Sequence, residues 1–329
     1  MEPLLLATIF ISFICTYFSM PYWIRKAKQV GLIWEDMHKV GHPKNVVGSG
    51  GIMVLFGFVL GVLLYIAIKT FYFGDNTDST LIFALLSSIL IIGLIGMLDD
   101  ILGWKRGGSS KKSRLILLFF AAIPLMVLNV GESTMMGIQF GILFPLIIVP
   151  LGIVGATSTF NFLAGYNGLE AGQGIIILSA LSVVTYLTGN SWLSIVALCM
   201  VGALVAFYIF NKCPAKAFPG DILTYSVGGL IAIIAILGNI EKIAIFFFIP
   251  YIIEVVLKAR GKLKKESFGK LNLDGSLEMP YKKIYGLEHL SILILKKIKP
   301  SKKVYESEVT YLIHFFQIII VVLGFLFIL

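Results

Sequence analysis

The sequence predicts an all-α integral membrane protein that crosses the bilayer ten times. Of its 329 residues, 58% are hydrophobic and only 14% are charged, and the mean hydropathy is +0.93. A soluble globular chain has about 45–50% apolar and about 25% charged residues, so a soluble fold is excluded. The chain has no low-complexity tract and only three cysteines, which excludes a disordered, fibrous or disulfide-rich protein.

Each crossing must be helical because lipid offers no hydrogen-bond partner to the backbone, and a crossing needs about 20 apolar residues. The first apolar stretch has no basic segment before it and no small-residue cleavage site, so we interpret it as an anchor and not a signal peptide. Pro250 lies inside the ninth stretch, where the missing N–H predicts a kink. The stretches are 3–23, 49–69, 80–98, 114–131, 138–160, 172–188, 191–211, 221–238, 242–258 and 310–329.

The basic residues predict the orientation of these spans, since cytoplasmic loops are enriched in lysine and arginine. With ten spans, all but two of the 27 lysines and arginines fall on one face, and the exceptions are Lys69 and Lys242. We therefore expect a single polytopic domain, 1–329, with both termini outside and a long basic cytoplasmic loop, 259–309, between spans 9 and 10. Topology and attraction to anionic lipid headgroups explain about half of these basic residues, and no aromatic–basic interleaving supports nucleic-acid binding.

Polar residues that border the spans are the candidate functional residues, because a charge at mid-bilayer costs about 2.5–3.5 kcal/mol. Asp99 and Asp100 close span 3, Asp221 opens span 8, and Asn161 and Asn167 follow span 5. A helix cap would also explain Asp221, and turns would explain the asparagines. The orientation set by the lysines, however, places all five on the cytoplasmic face. Carboxylates and amides surrounded by basic residues predict a Mg²⁺ that holds a polyphosphate.

The first cytoplasmic loop carries a second polar group, formed by Glu35, Asp36, His38 and Lys39. His38 and His42 are four residues apart, but a glycine and a proline beside His42 argue against a shared helical face. A zinc site is therefore not predicted. Residues 287–298 are too short to span the bilayer, and we interpret them as an interfacial helix.

Three segments resemble the polyprenyl-phosphate N-acetylhexosamine-1-phosphate transferase superfamily: Asp99-Asp100 after an apolar span, the thirteen residues from Asn161 to Gln173, and Gly220-Asp221. The thirteen-residue segment is similar to the eukaryotic and archaeal UDP-GlcNAc–dolichyl-phosphate GlcNAc-1-phosphotransferases. The resemblance runs through the whole chain. It implies transfer of GlcNAc-1-phosphate from UDP-GlcNAc to a polyprenyl (dolichyl-type) phosphate with release of UMP, as the first membrane step of N-glycan-type assembly. It also implies dependence on Mg²⁺ and inhibition by tunicamycin.

The resemblance implies roles for individual residues. Asp221 and Asn161 would hold the metal, Asn167 would hydrogen-bond the uracil, and Phe218 would stack on it. Asp99 and Asp100 would position the metal or the lipid phosphate. Two basic residues complete the expected catalytic set: Arg114, where relatives have a phosphate-binding lysine, and Lys39, which matches a basic position of the first cytoplasmic loop.

Two departures from the family pattern concern substrate binding. Ser158 stands where relatives carry another asparagine. Lys264 and Lys265 belong to the segment that replaces the histidine- or arginine-rich motif of the last cytoplasmic loop. We include all three as candidate substrate-binding residues, although lysine cannot reproduce the two-point contact of arginine.

Several alternatives stay open at this stage. The lipid phosphate could attack the diphosphate directly, or an aspartyl-phosphate could form first. The donor could be another UDP-HexNAc. A secondary transporter would show inverted repeats and polar groups near the bilayer midplane, and the sequence shows neither. The membrane would be the plasma membrane in a prokaryotic cell or the endoplasmic reticulum in a eukaryotic one, and a homodimer is left open.

Overall fold

The protein is helical over most of its length. The computed structural model describes residues 3–106, 110–131, 134–135 and 137–328. Its helices are α1 (Pro3–Val30), α2 (Gly51–Ala67, continued by a π-helical turn, Ile68–Tyr72), α3 (Ser79–Arg106), α4 (Lys111–Phe120), α5 (Ile123–Val127), α6 (Val149–Phe160, preceded by a π-helical turn, Phe144–Ile148), α7 (Leu169–Leu187), α8 (Ser191–Asn211), α9 (Gly220–Leu237), α10 (Glu241–Phe247), α11 (Ile249–Arg260), α12 (Leu287–Ile298) and α13 (Glu306–Phe327).

Within the described residues, seven helices are long and apolar enough to cross a membrane: α1, α2 with its π turn, α3, α7, α8, α9 and α13. Each coincides with a predicted span, although Leu329, the end of the last predicted span, lies outside the described residues. The chain is therefore a multi-pass integral membrane protein. The predicted interfacial segment forms α12.

The other three predicted spans are interrupted, so the expectation of one continuous helix over each was wrong, whereas the number of crossings stays a prediction. Residues 114–131 contain α4, a turn and the short α5, residues 138–160 begin with a strand before α6, and residues 242–258 are divided between α10 and α11. Prolines explain the divisions, because each new helical segment has a proline in its first turn, where no N–H is needed. Pro250 occupies this position in α11, at the predicted kink.

Helix α9 is the most completely buried of the seven long helices. Two glycines allow its neighbours to approach closely. A Cβ on Gly96 of α3 would lie 2.6 Å from the backbone oxygen of Asp221, and a Cβ on Gly228 of α9 would lie 2.7 Å from that of Ala156 in α6. Such small-residue contacts are typical of packing between membrane helices. They place α3 beside the start of α9 and α6 beside its middle.

Short strand pairs cover the loops, all of them antiparallel: β1 (Ile33–Glu35) with β2 (Lys44–Val47), β3 (Thr134–Met135) with β4 (Ile138–Gln139), and β5 (Lys270–Leu271) with β6 (Leu277–Glu278). The first pair is tied to the segment that precedes α9. Phe218 donates its N–H to the carbonyl of Val47 at 2.8 Å and accepts the N–H of Gly50 at 2.8 Å. The first loop and the start of α9 therefore form one wall.

Candidate active site

Four predicted residues from three helices converge at one end of the bundle. Asp100 in α3 accepts the backbone N–H of Asp221 in α9 at 2.7 Å. The hydroxyl of Tyr225 lies 3.1 Å from Asp99 Oδ2 and 3.5 Å from Asp221 Oδ2. Asn161, at the end of α6, is joined to α9 because its Oδ1 accepts the hydroxyl of Thr224 at 3.1 Å. The structure thus brings together the predicted acids and the amide that was predicted to bind a metal.

The start of α9 explains this convergence locally. Gly220 has φ +73°, which favours glycine, and a Cβ there would lie 2.2 Å from Asp100 Oδ2. Asp221 follows in the first helical turn, where free N–H groups and the helix dipole favour a carboxylate. The single glycine therefore lets a second carboxylate, that of Asp100, reach the same helix end.

Arg114, for which the resemblance implied phosphate binding, lies beside the acids. Its Nε is 2.7 Å from Asp99 Oδ2, a close ion pair in which the N–H is not aligned as a hydrogen bond. Its guanidinium carbon is 5.7 Å from the centroid of the Tyr225 ring, within the range of a cation–π contact. Arg114 is therefore positioned by both an acid and an aromatic ring.

Two cavities adjoin at these residues. The larger, of about 290 Å³, is lined by Asn161 and Asp221 and extends to Asp36, Tyr166 and other residues of the loops. The smaller, of about 260 Å³, is lined by Asp99 and Asp100. Phe218, Trp34, Gly220 and Asp221 line both cavities. An aromatic wall and an acidic wall therefore face the same space.

Asn167 and Lys39 belong to a buried network behind the larger cavity. Asn167 donates its side-chain N–H to Asp36 Oδ2 at 3.1 Å and its backbone N–H to Glu306 Oε1 at 2.7 Å. Lys39 forms an ion pair with Glu306, and its Nζ is 3.8 Å from Asp36 Oδ2. Neither Lys39 nor Asn167 is among the described residues that line the two cavities. Asp36, which does line the larger one, links this network to it.

This network also contains three buried side chains of the kinds that can bind a metal ion. One potential ligand atom from each of Asp36, His38 and Glu306 lies within 4.8 Å of the other two. Lys39 already places a positive charge against two of these acids. Burial, followed by the charges of Lys39 and His42, lowers the pKa of His38 to about 4 against the opposing effect of Asp36. His38 is therefore neutral at physiological pH. The positive charge of Lys39 offsets the negative charge of Asp36 and Glu306, which explains the group without a metal ion.

The last loop reaches the larger cavity through an aromatic residue. Phe268 lines it and packs edge-on against His38, with 4.9 Å between ring centroids. Gly165, at φ +119°, makes room for that ring, since a Cβ there would lie 2.3 Å from it. The backbone N–H of Gly269 is held by the hydroxyl of Tyr166 at 2.9 Å.

The remaining candidates lie outside the cavity walls. Lys264 and Lys265 are exposed, and Lys265 Nζ lies 4.8 Å above the ring of Tyr281. Ser158 has a buried hydroxyl with no hydrogen-bond partner among the described residues. Trp34, Tyr225 and Phe268 were missed by the sequence analysis. Only Tyr225 carried a usable signal, because it follows Asp221 by four residues and so shares its helix face.

Fold and site together define a multi-pass helical membrane protein with an acidic, aromatic-walled cavity at one end of its bundle. Residues 82–239 match the family described as glycosyl transferase family 4. A Saccharolobus solfataricus protein, provisionally named UDP-N-acetylglucosamine–dolichyl-phosphate N-acetylglucosaminephosphotransferase, is 36% identical over 83% of each chain. This chain belongs to glycosyl transferase family 4, which confirms the resemblance drawn from the sequence.

More distant relatives carry two different names. A Dictyostelium discoideum protein, named UDP-N-acetylglucosamine–dolichyl-phosphate N-acetylglucosaminephosphotransferase, is 28% identical over 72% of this chain and 67% of its own. A Halalkalibacterium halodurans phospho-N-acetylmuramoyl-pentapeptide-transferase is 31% identical over 80% of this chain and 86% of its own. Both names describe transfer of a phosphosugar unit.

Proposed function

We propose that this protein transfers GlcNAc-1-phosphate from UDP-GlcNAc to a polyprenyl phosphate of the dolichyl type, as the first membrane step of N-glycan-type assembly. The products are polyprenyl-diphosphate-GlcNAc and UMP. The observation that carries the proposal is the convergence of Asp99, Asp100, Asn161 and Asp221 on a space that Phe218 and Trp34 also line. The names of the archaeal and Dictyostelium relatives supply the donor and the acceptor.

The reaction exchanges one phosphoanhydride for another. An oxygen of the lipid phosphate forms a bond to the phosphorus that carries the sugar, and the bond from that phosphorus to the bridging oxygen breaks. The electron pair and the oxygen leave with UMP. Because the bond formed resembles the bond broken, no ATP is needed. The obstacle is repulsion, since a phosphate monoester is mostly dianionic at neutral pH and must approach an anionic diphosphate.

The residues at the site fit the Mg²⁺ that the family implies. Asp100 Oδ2 is buried and has no hydrogen-bond partner among the described residues, and it faces the start of α9 that carries Asp221. Asp221 and Asn161 would hold the ion, since carboxylate and amide oxygens are ligands that Mg²⁺ accepts, with the substrate completing its shell. When bound, Mg²⁺ neutralises phosphate charge and aligns the reacting groups.

The chain's own residues supply the remaining functions. Arg114, held by Asp99, adds a positive charge for the phosphates. Phe218 and Trp34 offer flat apolar surfaces on which a uracil ring can stack. Asp100 and Asp221 draw the ends of two helices to one point, so that donor and acceptor are bound close together.

A third cavity offers a path for the lipid. It has a volume of about 580 Å³ and is lined mainly by apolar residues of α6, α9, α10 and α11, including Phe248 at the break between the last two helices. Thr159, two residues before Asn161, is one of the residues that line it. An isoprenoid chain in this cavity would therefore have its phosphate near the acids.

The proposed topology has ten crossings, with both termini outside and the acids at the cytosolic headgroup level. The three divided segments would supply crossings in addition to the seven long helices. The loop segment with Lys264 and Lys265 would then lie in the cytosol. This arrangement lets a water-soluble nucleotide and a membrane-bound phosphate reach one site.

The direct test is release of UMP by the purified protein supplied with UDP-GlcNAc, a polyprenyl phosphate and Mg²⁺. Asp221→Asn, Asp99→Asn and Asp100→Asn are each expected to lower the rate by about 100-fold or more, the usual scale for lost electrostatic stabilisation. Asp75→Asn, in the loop between α2 and α3, is the matched control and should keep wild-type activity. Full activity in all three site variants would show that the site is elsewhere.

Two further measurements separate the alternatives. A head-to-head competition between UDP-GlcNAc and other UDP-HexNAc donors identifies the sugar, which the replaced basic motif of the last loop leaves open. Incubation with donor labelled in the sugar phosphate, without lipid, tests the covalent route, because only an aspartyl-phosphate would retain label on the protein. We expect no retained label, and inhibition of UMP release by tunicamycin.

A further inference from the structure

Three carboxylates from two helices meet at the site, although like charges in such proximity repel. Asp99 and Asp100 are adjacent in α3, and Asp221 opens α9. Between them lies Tyr225, which is fully buried. Its hydroxyl is 3.1 Å from Asp99 and 3.5 Å from Asp221. A phenol has one proton to donate, and the shorter distance favours Asp99 as the acceptor.

Asp99 is contacted by two positively polarised groups at the same oxygen. Arg114 Nε is 2.7 Å from Asp99 Oδ2, which is also the atom nearest the Tyr225 hydroxyl. The guanidinium of Arg114 also lies beside the Tyr225 ring. The three side chains therefore contact one another pairwise, and we call them the Asp99–Arg114–Tyr225 triad.

Asp100 is held differently. Its Oδ1 accepts the backbone N–H of Asp221, whereas its Oδ2 is buried and has no hydrogen-bond partner in the described part of the chain. No arginine or lysine forms an ion pair with it among these residues. One oxygen of Asp100 is thus left without a hydrogen bond among the described residues, while Asp99 is engaged by the triad.

We propose that Tyr225 gives the two adjacent aspartates, Asp99 and Asp100, different roles. With Arg114 it holds Asp99 as a positioning residue, which sets the place of the guanidinium, and this leaves Asp100 as the carboxylate of the pair that faces the reacting groups. The effect on catalysis rests on the proposed function, whereas the contacts within the triad do not depend on it.

Tyr225→Phe tests the inference with the smallest change, because it keeps the ring beside Arg114 and removes only the hydroxyl. Loss of one hydrogen bond to a charged group predicts a fall in kcat of about 10- to 100-fold. The KM for UDP-GlcNAc should stay within about twofold, because the hydroxyl orients Arg114 and does not bind the donor. Tyr186→Phe, on a half-exposed position of α7, is the control and should behave as wild type. An unchanged kcat in Tyr225→Phe would overturn the inference.

A double-mutant cycle on thermal unfolding tests the triad without any activity. Tyr225→Phe combined with Asp99→Ala should lower the unfolding midpoint by less than the sum of the single shifts, by about 2 °C or more, because both remove the same contact. Tyr225→Phe combined with Asp100→Asn should be additive. Coupling to Asp100 and not Asp99 would refute the division. If the wild type released no UMP, the proposed function would fail while this cycle would still judge the triad.

Discussion

At the residue scale, Gly220 meets two requirements that no other amino acid satisfies. Its backbone has φ +73°, and the space where a Cβ would lie is taken by the Asp100 carboxylate, 2.2 Å away. The positive φ would strain the backbone of any other residue, and the lack of a Cβ leaves room for the Asp100 carboxylate in the site. A matched pair of substitutions can therefore separate them.

Gly220→Ala is expected to lower UMP release by about 100-fold, the loss that follows when a catalytic group is displaced by about 1 Å. Gly189→Ala is the control, since Gly189 has φ +88° and nothing within 4 Å of its Cβ position. Both variants carry backbone strain of about 1–2 kcal/mol, so the unfolding midpoint of each should fall. Equal activity in the two variants would show that Asp100 does not need this space.

His38 predicts a pH dependence of stability. Its pKa is lowered by burial to about 4 in the folded protein and is about 6.5 when unfolded. Between these two pH values the unfolded chain therefore binds more protons than the folded protein. The stability that comes from burying His38 in its neutral form is complete above about pH 6.5. It is lost as the pH falls towards 4, by up to about 3 kcal/mol.

The measurement is the unfolding midpoint in detergent from pH 8 to pH 5, for the wild type and for His38→Gln. The variant removes the titrating ring, so its midpoint should fall less steeply below pH 6.5. Parallel curves for the two proteins would mean that His38 is not buried as a neutral group.

At the element scale, the division of α10 from α11 shapes the apolar cavity. Phe248 is the residue between the two helices, and Pro250 provides no N–H to continue the first helix. Gln317 of α13 contacts this break, where its side-chain N–H donates to the carbonyl of Phe247 at 2.8 Å. A polar side chain inside an apolar helix is costly unless it is satisfied in this way.

Gly155→Phe tests the role of this cavity. Gly155 lines it and has nothing within 4 Å of its Cβ position, so a phenyl ring would extend into the open space. Displacing one or two methylenes of bound lipid, at about 0.8 kcal/mol each, raises the KM for polyprenyl phosphate by about tenfold. The KM for UDP-GlcNAc should not change. Val183→Phe, on an exposed position of α7, is the control. An unchanged lipid KM in Gly155→Phe would place the lipid elsewhere.

At the scale of the whole molecule, the proposed topology places the acids in the cytosol. Lys265 and Asn76 are both exposed, and in this topology they lie on opposite sides of the membrane. In a background with Cys15 and Cys213 replaced by serine, Asn76→Cys should react with an impermeant maleimide added to intact cells. Lys265→Cys should react only after permeabilisation. The reverse pattern would put the site outside and remove access to cytosolic nucleotide.

Sequence reasoning succeeded where local properties decide structure. The seven long helices follow from apolar runs, and Asp99, Asp100, Asn161 and Asp221 were grouped because charge bias oriented every span that carries them. It failed over the three divided segments, because a sum of hydropathy over a window does not register one proline or one turn. Trp34 and Phe268 escaped for a related reason: an aromatic residue near an apolar run looks the same whether it faces lipid or a cavity.

Lys39 shows most clearly that contacts between residues far apart in the sequence could not be predicted. Its membership of a basic loop was evident from the sequence, but its partner Glu306 lies at the far end of the chain, in α13. Membrane class, the positions of most spans and the presence of a polar face were determined by composition and order alone, because each depends on neighbouring residues. The folded protein alone decided which charges neutralise one another and which carboxylate oxygen is left without a hydrogen bond, because electrostatic interactions depend on separation in space.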